Sequence, residues 1–194
     1  MSTSLQIYEC IVSKLDIRQF KDQDVSEDTR LRILDAARQT GTGLNSQHLR
    51  FVLIDGKERL KLLAEDSSSG TWVSGANFAV IVLADQSFRF NMLDAGRALQ
   101  SMQLTAWAEG IGSGLFTGIR EEKMRYDFNI PNELVIAVTA GFGYPLRTST
   151  GKAKNRVSLN GIVKDLKHAT FLNRSRVRQC ILFSLRLTVL HFIS

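Results

Sequence analysis

Hydrophobic and polar residues recur along the chain in two patterns, one typical of helices and one of buried strands. Apolar positions three and four apart, together with shorter mixed segments, predict helices over residues 5–13, 26–40, 57–64, 92–109 and 120–126. Continuous apolar runs predict strands at 51–54, 78–84 and 134–140, with a brief extended stretch at 115–117. Because the helices and strands interleave, the pattern predicts one layered α+β or α/β domain.

Two of the predicted helices carry further information. Ser26 is followed by Glu27 and Asp28, which predicts an N-cap and a negative first turn. The helix at 92–109 carries apolar residues around most of its circumference, so we expect it to be central and buried on more than one side. A loop rich in Gly and small polar residues, at 40–47, leads into the first strand.

The composition indicates an ordinary globular protein. Of the 194 residues, 44% are hydrophobic, 23% are charged and 2 are Pro, so no part is repetitive or polar enough to resist packing. Residues 1–9 contain no basic region followed by a long apolar run, and Cys10 and Cys180 match no metal or redox spacing. We therefore expect a cytoplasmic protein in a reducing compartment.

Positive charge is concentrated in the last quarter of the chain. Residues 1–145 hold 15 Lys and Arg against 18 Asp and Glu, whereas residues 146–194 hold 10 against 1. Such a stretch can serve nucleic acid, a membrane surface or a phosphorylated cofactor. We expect a domain at 1–168 and a basic, apolar tail at 169–194. For the tail, a dimer arm, a membrane-surface helix and sequence foreign to the domain all stay open.

Common nucleotide and hydrolase motifs do not fit the chain. Gly110-x-Gly112 lacks a third Gly and follows a helix, so it is not a dinucleotide fingerprint. Thr150-Gly151-Lys152 lacks both the first Gly and the final Ser or Thr of a P-loop. The three His residues have no close Cys or carboxylate in sequence, and no Gly-x-Ser-x-Gly turn is present. Neither a metal site nor a Ser-His-Asp site is predicted.

Several separated polar segments match one family in order. Residues 14–20, Lys-Leu-Asp-Ile-Arg-Gln-Phe, resemble the Arg-Arg-Ser-x-Arg-x-Phe segment that follows the first helix of the nitroreductase family. Residues 43–47, Gly-Leu-Asn-Ser-Gln, and the strand after them resemble its Pro-Ser-x-Asn-x-Gln-Pro-x-x-Phe loop. Three later motifs continue that order: Asp94-x-Gly-x-Ala-x-Gln100 near the start of the predicted helix at 92–109, Gly141-x-Gly-Tyr-Pro145, and Lys154-x-Arg156. The resemblance spans roughly residues 5–165.

The resemblance implies a fold, a cofactor and a reaction. It implies an α+β fold with a mixed, mainly antiparallel sheet flanked by helices, and a homodimer that binds flavin mononucleotide (FMN) at each subunit interface. NADH or NADPH would give a hydride to flavin N5, and a small acceptor such as a nitroaromatic or quinone would then take the electrons. No catalytic acid or base and no nucleic-acid partner are expected. A specialised flavin enzyme of the same fold, such as a desaturase or dehalogenase, and a non-enzymatic protein with a binding tail are the alternatives.

The matched positions also imply roles for individual residues. In the family, cations at some of the matched positions face the flavin phosphate, and polar or charged side chains at others face the pyrimidine edge. One stretch of backbone faces flavin N5. The implied cofactor-binding residues are Lys14, Leu15, Asp16, Arg18, Asn45, Gln47, Thr117, Gly118, Lys154 and Arg156. In this assignment Lys14, Lys154 and Arg156 serve the phosphate, Arg18, Asn45 and Gln47 the pyrimidine, and Thr117-Gly118 lies at N5. Solvated charges and ordinary turn residues are the simpler interpretation of the same positions.

The chain departs from the family pattern at several positions, and it also lacks the Pro residues that flank the loop at 43–47 in the family. Asp16 replaces a Ser, and its carboxylate would repel a phosphate unless it turns away or pairs with Arg18 or Lys154. Leu15 replaces a basic or His residue, and Lys14 replaces an Arg. The stretch between Leu83 and Asp94 is too short for the helical lid of many relatives. We therefore expect weakened FMN binding in an open pocket.

Overall fold

The computed structural model of the chain describes residues 3–147 and 154–163. The chain divides into two compact units, residues 1–150 and 151–194. The first unit holds α1 (Thr3–Ser13), α2 (Glu27–Arg38), β1 (Leu49–Asp55), α3 (Lys57–Glu65), β2 (Phe78–Asp85), α4 (Asn91–Ala108), β3 (Gly112–Phe116), α5 (Glu121–Asp127) and β4 (Leu134–Gly143). Two short 3₁₀ turns, Gly43–Asn45 and Thr71–Gly75, precede β1 and β2. In the second unit the described residues include α6 (Leu159–Ile162).

Four strands form one sheet in the order β1-β2-β4-β3, and every strand pair in it is antiparallel. The expected α+β class is therefore confirmed. Within the described ranges, the parallel component is the isolated bridge between Asp16 and Ser113. All five predicted helices and all four predicted strands are present in the first unit.

β3 and β4 are longer than predicted because both include glycines, which the apolar pattern used to predict strands does not count. β3 begins at Gly112 rather than at residue 115, and β4 continues to Gly143. A Cβ on Gly112 would lie 2.6 Å from Ile17 Cγ1, and one on Gly114 would lie 2.5 Å from the Ile17 carbonyl oxygen. These glycines therefore allow residues 14–20 to lie directly against the edge of the sheet.

The sheet separates two hydrophobic cores because side chains alternate along β2. Phe78, Val80 and Val82 face the core formed with α2 and α4. Ala79, Ile81 and Leu83 face the core formed with α3 and the turn at Thr71–Gly75. Every residue from Phe78 to Ala84 is buried, as expected for a central strand covered on both faces.

The predicted helix features agree with the structure. The hydroxyl Oγ of Ser26 accepts a hydrogen bond from the Thr29 amide at 3.3 Å, which is the expected N-cap. The buried residues of α4 are spaced along the helix from Asp94 to Ala106, and the helix packs on α2 and on the sheet. Residues 86–90 connect β2 to α4 without a further helix, as the short spacing predicted. The predicted tail at 169–194 lies outside the described residues.

Candidate flavin site

Residues 14–18, the Lys14 segment, run along the free edge of β3. The Ile17 amide donates to the Ser113 carbonyl at 2.9 Å, and Asp16 forms a bridge with the same residue. At the start of the segment, directly after α1, the Lys14 amide donates to the Cys10 carbonyl at 3.0 Å. The segment is thus fixed at both ends by backbone hydrogen bonds, and its side chains have a defined direction.

An ion pair joins the two charges at the start of this segment. Lys14 Nζ lies 2.5 Å from Asp16 Oδ1. The Lys14 side chain is 12% exposed and that of Asp16 62% exposed, so a mostly buried lysine carries its charge to an open carboxylate. Asp16 therefore pairs with Lys14, a partner that the sequence analysis did not consider. Leu15, between them, is half-buried.

Arg18 lies over an aromatic side chain. Its Cζ is 5.9 Å from the centre of the Trp72 ring, and Trp72 in turn meets Phe116 edge-on at 5.8 Å. Within residues 3–147 and 154–163 no carboxylate pairs with Arg18. Phe116 is 3% exposed, so it packs in the core. The guanidinium is therefore held by stacking and remains available to an anion.

Two glycines make room for Trp72. A Cβ on Gly114 would lie 2.9 Å from Trp72 Cη2, and one on Gly141 would lie 2.9 Å from its Cζ3. The indole Nε1 is buried and finds no hydrogen-bond partner among the described residues. Trp72 thus packs against β3 and β4 at positions where any side chain larger than that of glycine would collide with it. It lies on the sheet face opposite α4.

Thr117 and Gly118 follow β3 and meet the serine loop at 67–70. The Gly118 carbonyl accepts from the Ser68 amide at 2.9 Å. A Cβ at Gly118 would lie 2.5 Å from the Ser69 hydroxyl. A residue with a side chain at position 118 would therefore collide with Ser69, and glycine allows the two segments to pack closely.

A buried carboxylate anchors the serine loop. Asp66 is fully buried, its Oδ1 pairs with Lys123, and its carbonyl accepts from the Arg120 amide at 2.7 Å. Arg120 also donates to the Ser67 carbonyl at 2.9 Å. Burial raises the pKa of Asp66 above its usual value, because desolvation of the carboxylate outweighs the opposing effect of Lys123. Its Oδ2 has no hydrogen-bond partner in the described part of the chain.

Residues 43–47, the Asn45 loop, adopt an unusual backbone. Leu44, Asn45 and Gln47 have positive φ values of 54°, 54° and 49°. Such values cost free energy for side-chain-bearing residues and concentrate at functional sites. Leu44 is also fully exposed, at 105% of its reference area. The positive-φ turn therefore holds the Leu44 side chain in solvent.

Asp94, near the start of α4, holds the Asn45 loop in place. It is 2% exposed, and its Oδ2 accepts from the Gly43 amide at 2.9 Å. His48 lies beside it, with Nε2 3.9 Å from Oδ2 and Nδ1 2.6 Å from the Ser46 hydroxyl. His48 also stacks on Phe88 at 4.8 Å. The sequence contained no signal for this contact, because residues 48 and 94 are distant in sequence.

The two groups of predicted flavin ligands lie at opposite ends of α4. The Lys14 segment follows an α1 that contacts the C-terminal end of α4, where Trp107 Nε1 donates to the Ser13 hydroxyl at 3.0 Å. The Asn45 loop is attached at Asp94. From residue 94 to residue 107 an α-helix rises roughly 20 Å. One chain therefore does not bring Asn45 and Lys14 together.

The remaining predicted ligands belong to the second unit. Arg156 is exposed and donates to the Asn155 carbonyl at 3.2 Å, and Lys154 is half-buried. Among the residues that the structure covers, no group of three His, Cys, Asp or Glu side chains is arranged to hold a metal ion. None of the helices described is long and apolar enough to cross a membrane.

Comparisons with known proteins identify the family of this chain. The model of the nitroreductase family matches residues 11–83 and 70–144. A proposed NADH dehydrogenase/NAD(P)H nitroreductase of Archaeoglobus fulgidus is 30% identical over 145 residues, which cover 70% of this chain and 83% of that protein. A protein of the same name in Methanothermobacter thermautotrophicus is 28% identical over 152 residues, or 74% of this chain and 79% of that protein.

A solved structure shares the fold. A nitroreductase from Desulfovibrio desulfuricans, in complex with FMN, superposes with a TM-score of 0.74 at 24% identity over 84% of this chain and 97% of that one. Fold, family model and relatives agree. The chain belongs to the nitroreductase family.

The donor set fits a flavin with one exception. Arg18 supplies a cation beside an aromatic surface, and Asn45 supplies an amide that can both donate and accept. The exception is Lys14, whose charge is already paired with Asp16.

Proposed function

We propose that this protein is an NAD(P)H-dependent flavin oxidoreductase that binds FMN without a covalent bond. Bound FMN would supply the redox chemistry, taking a hydride at N5 from NADH or NADPH and reducing a small organic acceptor such as a nitroaromatic or quinone. The observation that carries the proposal is Arg18, a cation that is stacked on Trp72 and has no carboxylate partner in the described residues. Family membership and the relatives' names support it.

The roles of the protein's own residues follow from their chemistry. Arg18, placed at the pyrimidine edge, would stabilise negative charge on the reduced flavin and raise its potential. Trp72 holds Arg18 in one orientation by stacking, so less side-chain entropy is lost on binding. Lys14 lies on the phosphate side of the same segment. Substrate positioning on the flavin face requires no acid or base from the chain.

Each complete site requires two protomers in our proposal. The Lys14 segment and the Asn45 loop lie at opposite ends of α4, so one flavin cannot contact both within a single chain. A two-fold axis across α4 would bring the N-terminal end of one helix to the C-terminal end of its partner. Two identical sites would result, each built from the Lys14 segment of one protomer and the Asn45 loop of the other.

Exposed apolar side chains support this dimer. Ile7 and Tyr8 on α1 are 59% and 61% exposed, and Leu93 on α4 is 62% exposed. Gly96, one turn further along α4, has open space where a Cβ would stand, which permits close approach of a second helix. Together with Leu44, these residues offer an apolar surface that a second copy of the chain would cover.

The absorption spectrum of the purified protein tests the flavin assignment, with FMN added if the preparation is colourless. We expect a bound-flavin band that bleaches with NADH or NADPH and returns on addition of a quinone or nitroaromatic. Arg18→Ala should weaken FMN binding and lower the flavin potential. A protein that neither binds added FMN nor bleaches it would exclude the proposed activity.

Mixed dimers test the shared site. Arg18→Ala and Asn45→Ala each damage both sites of their own homodimer, whereas a mixed dimer regains one undamaged site. For random mixing of two chains, about a quarter of all sites should be intact. Co-expression that restores no more activity than either variant alone would show that each site lies within one chain.

The dimer surface has its own test. Leu93→Glu should raise the dimer dissociation constant in light scattering, because it buries a charge at the proposed contact. Tyr126, 82% exposed on α5, is the matched control, and Tyr126→Glu should leave the mass unchanged. Equal behaviour of the two variants would move the interface elsewhere.

A further inference from the structure

The ion pair in the Lys14 segment bears on which flavin the protein binds. The ammonium group of the mostly buried Lys14 lies 2.5 Å from the carboxylate of Asp16, which is the more exposed partner. The pair is fixed in place because the Asp16 backbone bridges to Ser113 in β3. A ligand that approaches Lys14 therefore meets a cation and an anion together.

We propose that Asp16 is a specificity-determining residue that reduces the preference for phosphate-bearing FMN and admits flavins with an uncharged side chain, of which riboflavin is the simplest. This inference rests on the proposed flavin-binding function. It concerns the phosphate end of the ligand, and it is independent of how Arg18 interacts with the ring.

The chemistry of the two ligands differs at this end alone. A phosphate monoester carries a charge of about −1.5 to −2 at neutral pH and accepts hydrogen bonds. A carboxylate is also an acceptor, so Asp16 repels the phosphate and occupies the ammonium group that would neutralise it. Flavin side-chain hydroxyls can donate to a carboxylate, and they carry no charge for Asp16 to repel.

Substitutions at Asp16 and Lys14 separate these effects. Dissociation constants for FMN and riboflavin are measured by flavin fluorescence on cofactor-free protein, at one low salt concentration. Asp16→Asn keeps the shape and removes the charge. We expect it to tighten FMN about tenfold, equivalent to about 1.4 kcal/mol, and to leave riboflavin within about twofold.

Lys14 should carry that gain. Adding Lys14→Met to the Asp16→Asn variant keeps the buried stem and removes the freed ammonium group. We expect most of the gain for FMN to disappear, with riboflavin again little changed. The cations Lys154 and Arg156 stay constant throughout, so the comparison between variants reports the Lys14 segment.

Asp55→Asn is the matched control. Asp55 is a carboxylate of similar exposure, 52%, that pairs with Arg30 at 3.1 Å outside the proposed site. Its removal makes the same change in net charge and should leave the FMN-to-riboflavin ratio unaltered. Thermal unfolding of each variant verifies that it remains folded.

The outcomes are distinguishable. If Asp16→Asn tightens both flavins equally, or neither, Asp16 does not set specificity and the inference is overturned while the flavoprotein assignment stands. If Asp55→Asn reproduces the effect, net charge is responsible and the inference is again overturned. If no variant binds either flavin, the proposed function fails and the inference fails with it.

Discussion

Replacing Asp94 by Ala should release the Asn45 loop without disturbing the Lys14 segment. The substitution removes the carboxylate that accepts from the Gly43 amide at 2.9 Å. It also removes the nearest charge to His48 Nε2, 3.9 Å away. Both contacts are buried, since the side chains of Asp94 and His48 are 3% and 2% exposed.

The magnitude follows from two terms. A hydrogen bond to a charged group contributes about 1.5–3 kcal/mol, and the exposed loop can rehydrate Gly43, so we expect a loss of about 2 kcal/mol in unfolding free energy. The three positive-φ residues cost on the order of 1 kcal/mol each. Because the anchor and the strain are comparable, the loop should relax once the anchor is lost.

Urea unfolding and amide hydrogen exchange measure these two effects. We expect faster exchange at residues 43–47 in the Asp94→Ala variant and weaker FMN binding through Asn45. Asp94→Asn retains an acceptor oxygen and should lose only about half as much stability. Arg97→Ala, which removes a 53%-exposed partner at 3.4 Å, should cost less than about 0.5 kcal/mol. Unchanged stability and unchanged exchange in Asp94→Ala would refute the idea that this carboxylate holds the loop.

Two further predictions concern the sheet face opposite α4. Gly141→Ala would place a Cβ 2.9 Å from Trp72, so we expect overpacking to lower the unfolding free energy by about 1–3 kcal/mol and to shift the Trp fluorescence. Gly75→Ala is the control, because a Cβ there has open space and should change neither quantity. Because the pKa of Asp66 is raised, this carboxyl stays protonated in the folded protein at pH values where it has lost its proton in the unfolded chain. Its contribution to the unfolding free energy is therefore full below the ordinary Asp pKa and is lost as the pH rises through the pKa of Asp66 in the folded state. Asp66→Asn, which resembles the protonated form and still accepts from Lys123, should therefore gain stability relative to the native protein between acidic and neutral pH, and a constant difference in urea unfolding would contradict this.

The elements of the fold were largely predictable because they depend on local patterns. The run at 78–84 and the Ser26 cap are encoded within a few residues, and both are present as expected. The start of β3 was missed because Gly112 resembles a turn residue in sequence. Its place in the strand depends on Ile17, which packs against it from far along the chain.

The sequence suggested a set of candidate site residues, which stay predictions, and it contained no information on their arrangement. Motif order identified Lys14 and Asn45, but sequence spacing contains no distance across α4, so their separation could not be foreseen. The Asp94–His48 contact joins residues that are distant in sequence, so it depends on tertiary geometry. Lys14 and Asp16 are neighbours in sequence, but the bridge from Asp16 to Ser113 that fixes their segment is also a tertiary contact. Lys154 and Arg156, in the second unit, stay predictions.

The length of α4 has a thermodynamic consequence for the proposed dimer. If each site takes one ligand group from either end of two antiparallel helices, then every bound cofactor crosses the subunit boundary. Cofactor binding and subunit association become linked equilibria, and each must strengthen the other by the same factor. Dilution would then release cofactor and separate subunits in one transition, and saturating cofactor would hold the pair together at concentrations where the bare protein is monomeric.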